Sequence, residues 1–408
     1  MQQTISAQKI WLTVMVAALG YFVDIYDLLL FSIIRIESLK GLGYTSAEDI
    51  ENYGHLLINT QMIGLLLGGI VFGILGDKKG RLSVLFGSII TYSLANIANG
   101  FVTSIEQYVV LRFIAGIGLA GELGAGITLV NEIMSKEKRG YGVTVVASVG
   151  LLGAVVASLI SNKFGWRPAF WIGGGMGIAL LLLRVGVAES GLFSQSKVEG
   201  VQRGNFAMIF NNSKRLKIYL YSIICTIPVW YVIGLLVSFC KEFGEALQMS
   251  EIPLPRWAIL FAYSGLSVGD MASGLISQWT RSRKKVQYLF LTLGAIFSAI
   301  YLLSGGISLE MFYALCFVLG VASGYWVISI TSVSEHFGTN LRATVTTTVP
   351  NFVRGSFVLV DVSYNLLKSS LGRLESAAVV GAVVFVLAIW SVRQLEETFG
   401  KDLNFQEY

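Results

Sequence analysis

The chain has 408 residues, of which hydrophobic types make up 54% and charged types only 13%, with a formal net charge of +5. Soluble domains carry about 25% charged residues, so the composition excludes an ordinary water-soluble protein and points to a chain whose solvent is largely lipid. Three cysteines without a spacing pattern, Cys225, Cys240 and Cys316, exclude a disulfide framework or a cysteine metal cluster as the organising principle.

A helix needs about 20 apolar residues to cross a bilayer. Runs of that kind read as twelve spans near 10–34, 54–75, 82–102, 109–131, 142–161, 168–187, 218–240, 257–279, 287–304, 311–333, 345–366 and 374–392. They are continuously apolar and rich in glycine rather than alternating, so helices are expected and a β-barrel is not. The first run is too long and too acidic for a cleavable signal. With the N-terminus placed inside, inside segments hold 19 Lys and Arg residues and outside loops 8, with three more in the spans. That bias puts both termini in the cytoplasm of a bacterial-type inner membrane. It also accounts for the net charge without a nucleic-acid partner. His55 and His336 fall at span ends without metal-ligand spacing, and each is expected to be an interfacial polar residue.

Spans 6 and 7 are separated by the one long hydrophilic stretch, roughly 188–216. Six spans precede it and six follow, the sequence image of two halves joined by a linker. The expected divisions are 1–187, 188–216, 217–393 and a tail over 394–408. Span 2 ends in Gly73-Ile-Leu-Gly-Asp77-Lys78-Lys79-Gly80-Arg81, and Gly274-Leu-Ile-Ser-Gln278 with Arg281, Arg283, Lys284 and Lys285 follows span 8 as a degenerate echo. Span 4 opens Arg112-Phe-Ile-Ala-Gly116-Ile-Gly118 and continues Gly121-Glu122-Leu-Gly124, with Glu132 and Lys138-Arg139-Gly140 after it. Gly165-Trp166-Arg167-Pro168-Ala-Phe170 opens span 6 and Glu189-Ser190 closes it. Ser334-Glu335-His-Phe337-Gly-Thr339-Asn-Leu-Arg342-Ala-Thr344 joins spans 10 and 11, and Glu397-Thr398-Phe-Gly400-Lys-Asp-Leu403 closes the chain.

Along essentially its whole length this pattern resembles the major facilitator superfamily of transporters. Within it the motifs look most like the metabolite–proton symporters of the aromatic acid and organic anion branches, although Gly191 stands where those relatives have proline. The resemblance implies an all-α integral membrane fold, with twelve helices in two pseudo-symmetric six-helix bundles. It implies a gating role for Gly73, Asp77, Gly80 and Arg81. Asp77 is expected to latch against the positively polarised N-terminus of span 11, just after Arg342. Span 1 carries Asp24 and Asp27 where aromatic acid symporters carry paired aspartates, and Arg354 stands where the organic anion branches carry a span-11 arginine.

The residues themselves bear on the same chemistry. A charged side chain at the bilayer centre costs about 2.5–3.5 kcal/mol on insertion scales, so such residues face the protein interior and usually work. Asp24, Asp27, Arg112, Glu122, Asp270, Arg354 and Asp361 all fall within spans. Asp24 and Asp27 share a helix face. A carboxyl in a low-dielectric cavity holds its proton more tightly, and a neighbouring arginine loosens that hold. Asp24, Asp27, Arg112 and Glu122 are therefore the proton-coupling candidates, against a static Asp27–Arg112 pair and a Glu122–Arg112 pair as structural alternatives. Arg354, beside Asn351, offers a planar fork for a carboxylate; the alternative is a pair with Asp361 or Asp270. Asp270 is a proton or substrate site, or else the partner of Arg354. Trp230, Tyr231, Tyr325 and Trp326 lie far from the interfacial belts and either line a substrate cavity or pack helices. Glycine clusters at 64–69, 116–126 and 173–177 read as close helix contacts.

The expectation is a secondary active transporter that moves a small polar metabolite, an organic anion by preference, with protons by alternating access. Its partners are that small molecule, protons and the lipid bilayer. It needs no cofactor or metal and works as a monomer. Proline, betaine or phosphate uptake is the nearest rival. A membrane sensor on the same scaffold is the rival of another class, disfavoured by a tail too short for a cytoplasmic domain. An enzyme is disfavoured by the lack of any Ser/His or Cys/His constellation. An ATP-driven pump is disfavoured by the lack of a phosphate-cradling loop, and an exporter by the absence of proline between residues 109 and 167.

Overall fold

The computed structural model describes residues 7–79, 81–122, 130, 134, 139–189, 206–401 and 405–406. Among these the chain is helical, with no strand. Span 1 is Ala7–Gly41, span 2 Ala47–Lys79, span 3 Arg81–Asn99, and the described part of span 4 opens with Ile105–Leu119. Spans 5 and 6 are Arg139–Phe164 and Trp166–Glu189. Spans 8, 9 and 12 are Pro255–Thr280, Arg283–Leu303 and Arg373–Gln394. Nine stretches among the described residues are long and apolar enough to cross a membrane unaided. Span 11 is more polar because threonines stand at 344 and 346–348. Helix 1 overruns the apolar run at both ends, since a helix continues past the point where its surface ceases to be apolar.

Three spans expected to be continuous are broken. Span 7 runs Ser213–Ile224, then Ile227–Trp230, then a π-helical turn over Tyr231–Val237. Span 10 is Leu309–Ser323 followed by Trp326–His336, and span 11 is Thr339–Gly355 followed by Phe357–Leu371. Such π segments and half-helices gather at functional sites, because they free backbone groups inside the bundle.

The halves repeat the same packing. Span 1 lies on span 5, span 2 on span 4 and span 3 on span 6; in the second half span 7 meets span 11, span 8 lies on span 10 and span 9 on span 12. Glycine sets the closest of these approaches. A Cβ on Gly64 or Gly116 would strike the backbone of the facing span at Phe113 or Gln61, and one on Gly265 or Gly320 would strike Phe317 or Ala262. Small residues let helix backbones touch where lipid offers no hydrophobic drive to association. Between the halves, span 5 lies along span 8 and span 2 along span 11. Gly69 and Gly73 of span 2 face Asn351 and Thr348 of span 11, with a Cβ on Gly73 only 3.3 Å from Thr348 Cγ2.

The end of span 1 and the starts of spans 2 and 12 lie at one face, called here the far face; the start of span 1 and the end of span 12 lie toward the opposite one, the terminal face. Of the expected latch, Gly80 lies outside the described residues, as do the side chains of Asp77 and Arg81; most of the linker, 190–205, lies outside them too.

Candidate functional site

Asp24 of span 1 and Arg354 of span 11 meet at the centre of the molecule, each about fully buried. Arg354 Nη2 donates to Asp24 Oδ2 at 3.4 Å, a single contact that joins the two halves. The pair is incompletely satisfied: among the described residues Asp24 Oδ1 and Arg354 Nε and Nη1 reach no hydrogen-bond partner. The Arg354 guanidinium lies 6.0 Å from the Trp326 ring, whose indole nitrogen is buried without a protein partner. Tyr21 and Tyr263 stand within electrostatic reach of the same pair. Asn351, one turn before Arg354, donates to the Ala120 carbonyl of span 4 at 2.7 Å.

The other intramembrane charges divide differently from expectation. The direct Asp27–Arg112 pair is not formed. Arg112 instead donates to the side-chain oxygens of Asn96 at 2.7 Å, Asn99 at 3.3 Å and Gln61 at 3.5 Å, and lies over the Phe170 ring. Among the described residues neither oxygen of Asp27 has a hydrogen-bond partner; the carboxyl packs against Gly173 of span 6, where a Cβ would collide with it. Asp24 thus faces the other half of the molecule and Asp27 the interior of its own, although they are three residues apart.

Glu122 is not the partner of Arg112. Ten residues separate them on one helix, about 15 Å of rise. Arg184 of span 6 takes Glu122 instead, Nη1 donating to Oε2 at 2.9 Å and Nη2 to Oε1 in a second, shorter contact. The pair is buried against Gly20 of span 1, which has no side chain to intrude. The sequence reading missed Arg184, although an arginine in the run Leu-Leu-Leu-Leu-Arg184 demands a partner by the same insertion cost.

Asp270 is not paired with Arg354. Its Oδ1 accepts from the Val327 N–H at 3.2 Å, at the first turn of the half-helix Trp326–His336. A carboxylate there satisfies an orphan donor and complements the helix dipole. Tyr325, at the break, donates to the Cys225 carbonyl at 3.1 Å and so ties the break in span 10 to that in span 7. Tyr231 donates to the Ala377 carbonyl of span 12 at 2.8 Å, and Trp230 packs edgewise on Phe357. These last three side chains spend themselves on helix contacts.

At the far face a second polar cluster joins the halves, and sequence reasoning missed it as a set. Arg35 of span 1 forks onto Glu242 past the end of span 7, with contacts of 2.7 and 2.8 Å. Gly54 leaves room for the Arg35 side chain. Glu51 of span 2 accepts from Lys368 at 2.8 Å and bidentately from Arg373 at 2.7 and 3.0 Å. Arg256 pairs with Glu37 and donates to Asn162. Asp361 does not meet Arg354; it accepts from Asn59 at 2.6 Å and meets His55 Nδ1 at 2.6 Å. His55 is therefore a buried, engaged residue rather than an interfacial one, and His336 is likewise buried, its Nδ1 on the Ser332 carbonyl at 2.7 Å. The signal for this cluster was the set of loop arginines and lysines counted as outside exceptions to the charge bias.

Comparison with known proteins gives this geometry a context. The sequence model described as Major Facilitator Superfamily matches residues 10–357. A putative niacin/nicotinamide transporter of Bacillus subtilis is 28% identical over 373 residues, covering 86% of each chain. A benzoate transport protein of Acinetobacter baylyi is 25% identical and covers 82% of this chain and 78% of its own. A probable 4-methylmuconolactone transporter of Cupriavidus pinatubonensis is 24% identical over 93% of this chain and 89% of its own. The solved structure of the proton:xylose symporter XylE superposes with a TM-score of 0.71 at 16% identity, over 98% of both chains.

Proposed function

This chain belongs to the major facilitator superfamily and is a multi-pass membrane transporter, and we propose that it carries a cyclic or aromatic carboxylate together with a proton. The observation that supports this most is the Asp24–Arg354 contact, a single 3.4 Å hydrogen bond between the halves that leaves two guanidinium nitrogens unspent. A substrate carboxylate would fork onto Arg354, whose planar donors suit it. Asp24, losing its counter-ion, would then take up a proton, since an unpaired buried carboxylate is costly. Anion and proton thus enter together because each makes room for the other. Trp326, Tyr21 and Tyr263 supply aromatic surface beside the anion site, which suits a flat ring. The relatives named for niacin, benzoate and 4-methylmuconolactone agree in kind.

In this reading Asp27, with Arg112 nearby, is a second proton site in reserve. Glu122 is a structural partner of Arg184, and Asp270 positions Trp326 rather than touching the anion. The divisions at 1–187 and 217–393 are the two rocking bundles. The positive-inside bias makes the terminal face cytoplasmic and the far face external in an inner membrane. The far-face ion pairs then close the outside, and the span 2–span 11 contact through Gly69 and Gly73 is part of the opposite gate with Asp77, Gly80 and Arg81. A monomer suffices for this cycle.

The test is uptake of radiolabelled nicotinate and benzoate into proteoliposomes with and without an imposed pH gradient. Accumulation above equilibrium only with an alkaline lumen is expected, lost in Arg354→Lys. Uptake indifferent to the gradient would remove the proton from the reading.

A further inference from the structure

The far-face cluster contains a group that fixed ion pairs do not need. Lys368 and Arg373 both serve Glu51, and Arg35 serves Glu242. Among the described residues Asp361 has no lysine or arginine within ion-pair reach; its partners are the Asn59 and Asn365 amides and His55. The His55 ring is stacked at 3.9 Å on Phe239, with an interplanar angle of 11°, and Phe239 also carries the Arg35 guanidinium at 4.4 Å from its centroid. The ring is therefore held in one plane. Its Nδ1 is directed at Asp361 and its Nε2 stands 3.8 Å from Glu51 Oε1 without a hydrogen bond.

A neutral imidazole carries one N–H. With that hydrogen on Nδ1 facing Asp361, Nε2 points a lone pair toward the Glu51 carboxylate. Protonation places a donor at both nitrogens, one for each acid. It also supplies the cation that Asp361 lacks. His55 and Glu51 belong to span 2 and Asp361 to span 11, so the gain exists only while the two halves are together at this face. The other charged or titratable groups around the ring are Arg35 of span 1, Glu242 past span 7, Tyr364 and Lys368 of span 11 and Arg373 of span 12. Arg35 opposes the charge on His55, but it is itself neutralised by Glu242.

We infer that His55, Asp361 and Glu51 form a second proton-binding site at the far face, separate from the central pair, and that proton occupancy there locks the two bundles together on that side. The inference rests on the alternating-access reading but not on the identity of the substrate. Since the far face is external in that reading, acid outside would close the outer side over a loaded carrier and raise the fraction committed inward.

The experiment is pulsed electron–electron distance measurement on purified full-length protein. Spin labels go at Ala47→Cys and Ser370→Cys, both exposed on facing halves at the far face; the native cysteines are buried. The ratio of short to long distances is followed from about pH 8 to about pH 5.5, which spans ordinary imidazole titration. In the otherwise wild-type protein the short population should grow as pH falls. In His55→Gln the logarithmic slope should be shallower by up to about tenfold in ratio per pH unit, the limit for one linked proton. The central acids are the same in both proteins, so the difference belongs to His55. Asp361→Asn, which removes the charge but keeps a polar amide, should give the same loss and guards against a folding defect in either variant. Superimposable pH curves for the three proteins would overturn the inference. A nicotinate-induced shift of the same distances in all three would leave the alternating-access reading standing.

Discussion

Substituting Asp24 by Asn separates the two demands made on Arg354. Asparagine matches aspartate in size but leaves the guanidinium, 1% exposed, without a counter-ion. Removing one partner of a buried ion pair costs about 3–5 kcal/mol. The single 3.4 Å contact between Arg354 and Asp24 places this variant toward the lower end. Thermal unfolding of the ligand-free protein should show that loss. In the proposed reading a substrate carboxylate then becomes the anion available to Arg354 and no longer competes with Asp24. If half of the lost stabilisation returns on binding, about 1.4 kcal/mol, affinity for nicotinate or benzoate rises about tenfold. The pH dependence carries the sharper signature. In the wild-type protein, protonating Asp24 frees Arg354, so anion affinity should strengthen as pH falls, by at most about tenfold per unit for one linked proton. In Asp24→Asn the affinity should be flat with pH, tighter than wild type at neutral pH and converging with it in acid. Calorimetric titration of purified protein across that range measures both. Equal affinities with parallel pH slopes would refute the exchange of Asp24 for substrate at Arg354.

Glu122→Gln should destabilise the protein by about 3 kcal/mol by stranding buried Arg184, whereas Glu122→Gln with Arg184→Gln should recover much of it; thermal melts compare them, and a single variant as stable as wild type refutes the pairing. Gly269→Val, which drives a side chain into the backbone of span 10 at Val321, should cost about 1–3 kcal/mol or more, while Gly175→Ala, with nothing within 4 Å of a Cβ, should be neutral by the same melts. Glu397, in the tail beyond span 12, is pulled toward higher pKa by burial but is brought below the ordinary range overall. The Ser282 hydroxyl and the N–H groups of Arg283, Phe399 and Lys284 outweigh the burial. A depressed folded-state value contributes stability above the ordinary glutamate value of about 4.3 and loses it as pH falls through the folded value. The melting-point gap between wild type and Glu397→Gln should accordingly be present at neutral pH and close in acid.

Much of the fold was written in one-dimensional properties. Run length located the spans, and the equal spacing of Gly64 and Gly68 with Gly265 and Gly269 marks the same close crossing in both halves. Breaks in spans 7, 10 and 11 were not legible, because a half-helix end inside the membrane is stabilised by groups remote in sequence, such as Asp270 on Val327. The charges inside the spans were legible from composition, but the pairings offered for them were not the ones formed. Residue count along a helix gives height at about 1.5 Å per residue, yet not which neighbour a side chain faces. Height alone already excluded Glu122 with Arg112, and Arg354 with Asp361, seven residues apart on one span. Depth could not choose among Asp24, Asp270 and Glu122 as partner of Arg354; that depends on how the two halves dock. His55 was read as bland because its partners lie on spans with no local sequence relation to it.

In the proposed cycle, charge balance at the centre constrains the stoichiometry. Empty, the site holds Arg354 as a cation and Asp24 as an anion and is neutral. Loaded with a carboxylate and with Asp24 protonated, it is neutral again. With the anion alone or the proton alone it carries one unit of uncompensated charge in a buried site, which costs several kcal/mol. In the proposed cycle the halves would therefore exchange positions readily when empty or fully loaded and rarely when half loaded, which would couple the fluxes. The cargo in this scheme, one carboxylate and one proton, has no net charge. A membrane potential, worth about 2.3 kcal/mol per charge at 100 mV, should then do no work on it. Proteoliposomes loaded with potassium and treated with valinomycin at equal pH on both sides should show no accumulation, while an inside-alkaline gradient should drive it. Accumulation driven by an inside-negative potential would mean that a second proton moves. Asp27, whose oxygens have no hydrogen-bond partner, would be its site, and Asp27→Asn should then abolish the response to potential while sparing the response to pH.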